Sequence, residues 1–210
     1  MDDARRRRRR IATLTVVLPL LASVALLAVA HFFGHETASP PPRNEPQRRV
    51  GAAPAAIGSQ APRVRLVEGA TGRPFDSAAL EGTPYAVVFI STRCEAIGGF
   101  LARATAELNG TGAAILAISS DPKVDSRAAV RAWLGRHRIA TGGSFHYLVG
   151  GEGVLRGLWN AWGFSGPSAD CGETVPAHLA SGTGVNTGII DLDPQEAPSA
   201  FTDSLTGPSP

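Results

Sequence analysis

One cysteine of this chain follows a hydrophobic run in a pattern that suits thiol chemistry. Residues 85–99 read YAVVFISTRCEAIGG, in which residues 86–90 are continuously apolar and Cys94 follows a short polar turn. Continuous apolar runs of this length are typical of buried parallel strands. A helix beginning at the cysteine would place partial positive charge and free N–H groups beside the sulfur, which stabilises a thiolate. The pattern therefore predicts a reactive thiol at the carboxyl end of a strand, where open α/β sheets bind and react.

The alternative for Cys94 is a structural role, because an unpaired cysteine commonly packs as a small hydrophobic side chain. The flanking residues favour function instead. Thr92, Arg93 and Glu95 are polar, and the arginine adds a cation next to the sulfur. The two glycines at residues 98–99 keep the first turn of the following helix open.

The amino-terminal residues predict a membrane anchor. Residues 1–10 include six consecutive arginines, and residues 11–33 (IATLTVVLPLLASVALLAVAHFF) contain no Asp, Glu, Lys or Arg. An apolar segment of about 20 residues spans a bilayer, whereas that of a cleaved signal peptide is usually about 7–15 residues long. Cleavage after the small residues 28–30 stays an alternative. The arginines should keep residues 1–10 in the cytoplasm and direct the rest of the chain to the extracytoplasmic side, in a periplasm or at the cell surface.

The remaining chain predicts one folded domain between two polar segments. Residues 34–57 are rich in proline and charge and predict a flexible linker. Residues 194–210, rich in proline and serine, predict a disordered tail in which only residues 200–205 suggest a weak helical turn. Residues 58–193 are long enough to enclose a single hydrophobic core. The formal net charge of +2 comes from the arginines before residue 11, so nothing in the domain favours nucleic-acid binding.

Apolar periodicity across residues 58–193 predicts alternating strands and helices. The order is a short hairpin, then strand, helix, strand and helix, followed by an extended stretch, another helix and a last strand. Residues 165–181 show no clear periodicity. Between the second core strand and the next helix, Asp121 and Asp125 are interpreted as turn and cap residues, and Ser126 is the alternative cap. This alternation predicts an α/β sandwich with helices on both faces of the sheet.

Two stretches of the domain resemble the Sco/SenC family. Residues 89–94, FISTRC, are similar to that family's strand followed by T-x-C, and residues 118–126, ISSDPKVDS, are similar to its strand followed by D-P-x-x-D-[ST]. The resemblance covers about residues 58–193 and the amino-terminal anchor. It implies a thioredoxin-like three-layer α/β sandwich behind a transmembrane helix. It also implies a membrane-anchored assembly factor that carries copper to the dinuclear centre of cytochrome c oxidase.

The copper motif of this family is incomplete in the sequence. The family binds copper with a CxxxC pair and a histidine shortly before the last core strand, but Gly98 occupies the second cysteine position. The histidine position falls near Thr183, and the nearest histidine is His178. Because Cu(I) prefers thiolate and imidazole ligands, one cysteine and a displaced histidine would form a poor site. The resembled fold brings Cys171 towards Cys94. Two hypotheses follow: a copper site formed by Cys94, Cys171 and His178, or a redox-active Cys94–Cys171 disulfide.

The sequence is compatible with three functions. The first is a Sco-like copper-binding assembly factor with a cytochrome c oxidase subunit as partner. The second is a thiol-disulfide oxidoreductase or peroxidase with Cys94 as nucleophile, Cys171 as resolving thiol and another thiol-redox protein as partner. The third is a non-catalytic interaction module. A permanent structural disulfide is equally compatible with the two cysteines, because extracytoplasmic domains commonly bridge theirs.

Overall fold

The computed structural model describes residues 54–166 and 171–207, which contain seven strands and four α-helices. The strands are β1 (Arg65–Glu68), β2 (Pro74–Asp76), β3 (Tyr85–Ile90), β4 (Ala114–Ser119), β5 (Phe145–Val149), β6 (Val175–Ala180) and β7 (Asn186–Leu192). The helices are α1 (Glu95–Leu108), α2 (Arg127–His137), α3 (Glu152–Trp162) and α4 (Ser199–Thr206). The predicted basic tail and membrane anchor, residues 1–33, lie outside the described residues. Within the described part of the chain, no helix has both the length and the hydrophobicity that a membrane span requires.

The strands form one mixed sheet in the order β2-β1-β5-β4-β3-β6-β7. Its centre is parallel, because α1 connects β3 to β4 and α2 connects β4 to β5. The remaining neighbours pair antiparallel, with β6 beside β3 and the β1–β2 hairpin beside β5. The strand β3 therefore lies inside the sheet, and residues 91–94 connect its carboxyl end to α1.

Helices cover both faces of the sheet. Along β3, Val88 and Ile90 face a core that also contains the buried side chains of α1, α2 and α4. The alternate residues Val87 and Phe89 face a second core, to which α3 contributes two tryptophans and a leucine. Both β3 and β4 are buried at every position, as expected for parallel strands covered on two sides. The predicted three-layer α/β sandwich is confirmed.

The strand β6 corrects the interpretation of residues 165–181 as a stretch without regular structure. Val175–Ala180 pairs with β3 on one side and with β7 on the other. A proline within the sequence VPAHLA argues against an interior strand, because proline cannot donate to the hydrogen-bond ladder. The structure accommodates Pro176 because the register with β3 runs only from Ala177 to Ala180.

The carboxyl-terminal residues also differ from the prediction of a disordered tail. Residues 199–206 form α4, and Phe201 packs against Phe100 of α1 with ring centroids 6.0 Å apart. The hydroxyl of Thr202 donates to the carboxylate of Glu107 at 2.9 Å. An eight-residue helix is too short to be stable alone, so its stability comes from this contact with α1, which local sequence does not reveal.

Candidate functional site

The two cysteines of the chain meet at the carboxyl end of β3. Cys94 directly precedes α1 at its N-cap position, and Cys171 lies between α3 and β6. The structure joins them in a disulfide with a Cα–Cα distance of 5.4 Å, and no free cysteine exists. The predicted approach of Cys171 to Cys94 is therefore present, in the form of a bond between them.

The two bridged residues differ in burial. Cys94 is only 5% exposed and belongs to the core beneath α1 and α2. The indole N–H of the fully buried Trp133 donates to the carbonyl oxygen of Cys94 at 3.3 Å, which holds the start of α1 against α2. Cys171 is half-buried and packs against the edge of that core. Cys171 is therefore the more exposed residue of the pair.

A buried serine faces the sulfur of Cys94. The hydroxyl oxygen of Ser91 lies 3.8 Å from the Cys94 Sγ and accepts a hydrogen bond from the backbone N–H of Arg93 at 3.3 Å. Because the oxygen is already an acceptor, its own proton is free to donate towards the sulfur. A hydroxyl donor and the amino terminus of a helix are both features that favour a thiolate over a thiol.

Asp125 organises the turn that carries the cysteine, and of the two predicted cap candidates, Asp125 and Ser126, it is not the one that caps α2. Its carboxylate is buried and accepts from both the backbone N–H and the hydroxyl of Thr92, each at 2.8 Å. It also accepts from the hydroxyls of Ser119 at 2.6 Å and Tyr147 at 3.2 Å. Burial, followed by the adjacent charge of Asp125, raises the pKa of Tyr147 well above its ordinary value. Ser126 provides the cap of α2 instead, by accepting from Ala129 N.

Charged side chains near the disulfide have partners of opposite sign. Arg93 lies 3.5 Å from Asp121, and both side chains reach solvent. Glu95, in the first turn of α1, contacts the guanidinium of Arg136 and lies 3.0 Å from Nε2 of His137. The hydrogen bond from Arg136 is the largest cause of the lowered pKa of Glu95. Thr92 and Arg93, which flank the cysteine, are thus both engaged by carboxylates.

His137 occupies the space beside the position where the resembled family has its second cysteine. A Cβ atom added to Gly98 would overlap the imidazole ring of His137. That ring is held by Glu95 and packs against Trp133 with centroids 4.7 Å apart. A side chain at position 98 would therefore have to displace this ring from the space between α1 and α2.

His178 lies away from the two cysteines. It is a buried residue of β6 opposite Val87, not a residue of an irregular segment. Its ring contacts Trp162, with centroids 5.3 Å apart, and Phe89, both of which belong to the core on the α3 side of the sheet. Burial lowers the pKa of His178 below its ordinary value.

The ligand set predicted for copper is therefore only partly assembled. Cys94 belongs to the core on the α1 side, whereas the neighbours of His178 belong to the core on the α3 side. Among the residues that the structure describes, no group of three His, Cys, Asp or Glu side chains is arranged to hold a metal ion. The set Cys94, Cys171 and His178 does not fit a three-ligand copper site.

Sequence reasoning missed three residues around the sulfur. Ser91, Trp133 and His137 each contact Cys94 or the first turns of α1. Ser91 could have been predicted from the sequence, since it lies three residues before the cysteine in the same turn. The other two belong to α2, and only the packing of α2 on α1 brings them to the site.

Solved structures with a similar architecture include thiol-disulfide oxidoreductases and Sco proteins. The thioredoxin domain of a thiol-disulfide oxidoreductase from Bacteroides vulgatus matches with a TM-score of 0.56 at 12% identity, covering 71% of this chain and 98% of that domain. A SCO1/SenC family lipoprotein from Bacillus anthracis str. Ames matches with a TM-score of 0.56 at 14% identity, covering 70% of this chain and 92% of its own. The fold is thioredoxin-like.

A third match is a Sco-family cytochrome c oxidase assembly protein in which a disulfide switch has been identified. Its TM-score is 0.56 at 11% identity, and the match covers 72% of this chain and 94% of that one. No family model matches the chain, and a search of curated proteins finds no match. At these identities the likeness establishes the thioredoxin-like fold, and the neighbours include both Sco/SenC proteins and thiol-disulfide oxidoreductases.

Proposed function

We propose that this chain is a thiol-disulfide oxidoreductase that works through the Cys94–Cys171 pair. The observation that carries the proposal is the position of the disulfide. It lies at the carboxyl end of an interior parallel strand and at the amino terminus of a 14-residue helix, with one of its cysteines half-buried. Ligands and reactions of open α/β sheets concentrate at this edge.

The residues around Cys94 suit reversible reduction. Cys94 occupies the N-cap position of α1, where the helix dipole favours negative charge, and its sulfur lies 3.8 Å from the hydroxyl oxygen of Ser91. Both interactions favour the charged form and lower the cost of breaking the disulfide. Trp133 and Asp125 hold the turn from two sides, so the sulfur keeps its position when the bond opens.

The alternative is a permanent structural disulfide, and the experiment must distinguish it from a redox-active pair. The bridge closes a chain segment with a sequence separation of 77, which corresponds to about 4.5 kcal/mol of stabilisation in the chain-entropy model. Structural disulfides of secreted proteins typically have reduction potentials below about −300 mV, whereas working pairs have higher values.

The reduction potential of the full-length chain therefore tests the proposal. The purified protein is equilibrated in dithiothreitol and glutathione redox buffers, and the free thiols are trapped with a maleimide and counted by mass. We expect a potential above about −270 mV, in the range of catalytic dithiols. A potential below about −300 mV would show a structural bridge and refute the proposal. The Cys171→Ser variant serves as control, since it cannot form the bridge and should trap one thiol in the dithiothreitol buffers, where no glutathione is present to form a mixed disulfide.

Sco-like copper transfer to cytochrome c oxidase is the second candidate. It is favoured by the two sulfurs that the structure places together, because Cu(I) accepts two thiolates as ligands once the disulfide is reduced. Titration of the reduced full-length chain with Cu(I) against a chromophoric chelator tests it. One bound copper ion, lost in Cys94→Ser and Cys171→Ser but kept in His178→Leu, would support a two-thiolate site. Equal affinity in all four proteins would exclude it.

We further propose that the domain works outside the cytoplasm, tethered by residues 11–33. The apolar length of that segment and the six arginines before it support this orientation. Its partner would then be an extracytoplasmic dithiol protein or, for the second candidate, a cytochrome c oxidase subunit. Protease added to intact spheroplasts should degrade the domain and spare only the amino-terminal tail; a protected domain would contradict this topology.

A further inference from the structure

The two sulfurs of the disulfide are unequal in access and in chemical environment, and this difference decides which of them a partner attacks. We infer that the partner's thiolate attacks Cys171 and that Cys94 is the leaving sulfur; this inference rests on the proposed oxidoreductase function. This assignment reverses the roles predicted from the sequence, in which Cys94 was the nucleophile that meets the partner.

Access to the two sulfurs differs because only one residue lies in the core. Thiol-disulfide exchange requires the attacking sulfur to reach its target, so burial of one cysteine directs attack to the other. Cys94 is 5% exposed and packs among buried residues, with Trp133 fixing its carbonyl oxygen. Cys171 is half-buried and lies outside any helix or strand, next to Gly172 with a φ of +63°. A partner can therefore reach Cys171 without opening the interface between α1 and α2.

The leaving sulfur should be the one whose thiolate is more stable. A thiol of lower pKa leaves faster in the exchange reaction. Cys94 has the amino terminus of α1 and the Ser91 hydroxyl beside it, whereas Cys171 precedes a strand and adjoins no helix terminus in the described residues. Access and leaving-group stability thus favour the same direction of attack.

The reaction balances with a protein dithiol as the reductant. One thiolate of the partner forms a bond to the Cys171 sulfur, the Cys94–Cys171 bond breaks, and Cys94 departs with the electron pair as a thiolate. The partner's second thiolate then attacks the partner sulfur that is bonded to Cys171. A disulfide forms within the partner, and Cys171 is released and takes up a proton. The partner is oxidised from dithiol to disulfide, and this chain is reduced from disulfide to dithiol.

Adduct mapping on the oxidised full-length chain tests the direction of attack. The wild-type protein is mixed with glutathione and quenched in acid at short times, and peptides covering the two cysteines are analysed by mass spectrometry. We expect glutathione on Cys171 and a free thiol at Cys94. Glutathione on Cys94 with a free Cys171 would overturn the inference while leaving the oxidoreductase function intact. No adduct at either residue would overturn both, because the disulfide would then not exchange.

A pair of single variants provides an independent measurement with oxidised glutathione. In Cys94→Ser the remaining thiol at residue 171 is reachable, so a stable mixed disulfide should accumulate. In Cys171→Ser the remaining Cys94 thiol lies in the core, and the adduct should form at least about tenfold more slowly because access limits the reaction. The reverse order of rates would contradict the inference. Tryptophan fluorescence compares the folding of the two variants, and the wild-type mapping above needs neither of them.

Discussion

Replacing Asp125 by alanine should lower the free energy of unfolding far more than is usual for a substitution in a polar loop. The buried carboxylate accepts four hydrogen bonds that join the Thr92 turn to β4 and β5. Hydrogen bonds to a charged group contribute about 1.5–3 kcal/mol each, so the gross loss is about 6–12 kcal/mol. Removing the charge also recovers its desolvation cost of several kcal/mol. The net loss in free energy of unfolding should be about 3–5 kcal/mol.

Asparagine at the same position offers a graded comparison. Its oxygen can still accept from Thr92, and its NH2 group can donate to the hydroxyls of Ser119 and Tyr147, whose protons can rotate away. Asp125→Asn should therefore lose about 1–3 kcal/mol, less than Asp125→Ala, because only the charge is removed.

Denaturation of the oxidised full-length chain at pH 7, followed by the fluorescence of its tryptophans, measures both variants. The matched control is Asp121→Ala in the same loop, whose ion pair with Arg93 reaches solvent and contributes about 0–1 kcal/mol. A loss below about 1 kcal/mol for Asp125→Ala, equal to that of the control, would refute the assignment of Asp125 as the centre of this hydrogen-bond network.

Three further changes test the surroundings of the disulfide. Gly98→Cys should cost about 1–3 kcal/mol in denaturation because its Cβ displaces the His137 ring, and a His137→Ala background should remove most of that cost; equal costs in both backgrounds would exclude the clash. Since burial lowers the pKa of His178, the stability of the wild type should fall as pH drops below about 6.5 and towards the lowered folded value, at up to about 1.4 kcal/mol per pH unit. His178→Leu should lack that part of the fall in pH-dependent denaturation, and an unchanged profile would contradict it. Ser91→Ala should slow alkylation of Cys94 by iodoacetamide in the reduced chain at pH 7, because the thiolate loses its hydroxyl donor; an unchanged rate would show that the hydroxyl does not reach the sulfur.

Local patterns in the sequence were sufficient for the central elements of the fold. The apolar runs predicted β3 and β4, and the helical spacing after Cys94 predicted α1, because buried parallel strands and amphipathic helices leave direct periodic signals. The strand β6 was not predicted, and the helix α4 was predicted only as a weak helical turn, because their local signals oppose regular structure. Pro176 and the prolines around residues 194–198 are negative local signals, and the contacts with β3 and α1 outweigh them.

The sequence by itself determined where a thiol stands: at the end of an interior strand, before a helix, with a second cysteine 77 residues later. Only the tertiary structure decided what surrounds it. The pairing of Cys94 with Cys171, the ring of His137 beside Gly98 and the placement of His178 in the other core all depend on how distant segments pack. The physical reason is that the periodicity of strands and helices depends on residues that are close in sequence. The solvent access of a sulfur, the charges near it and the thiol it pairs with depend on side chains that are far apart in the chain.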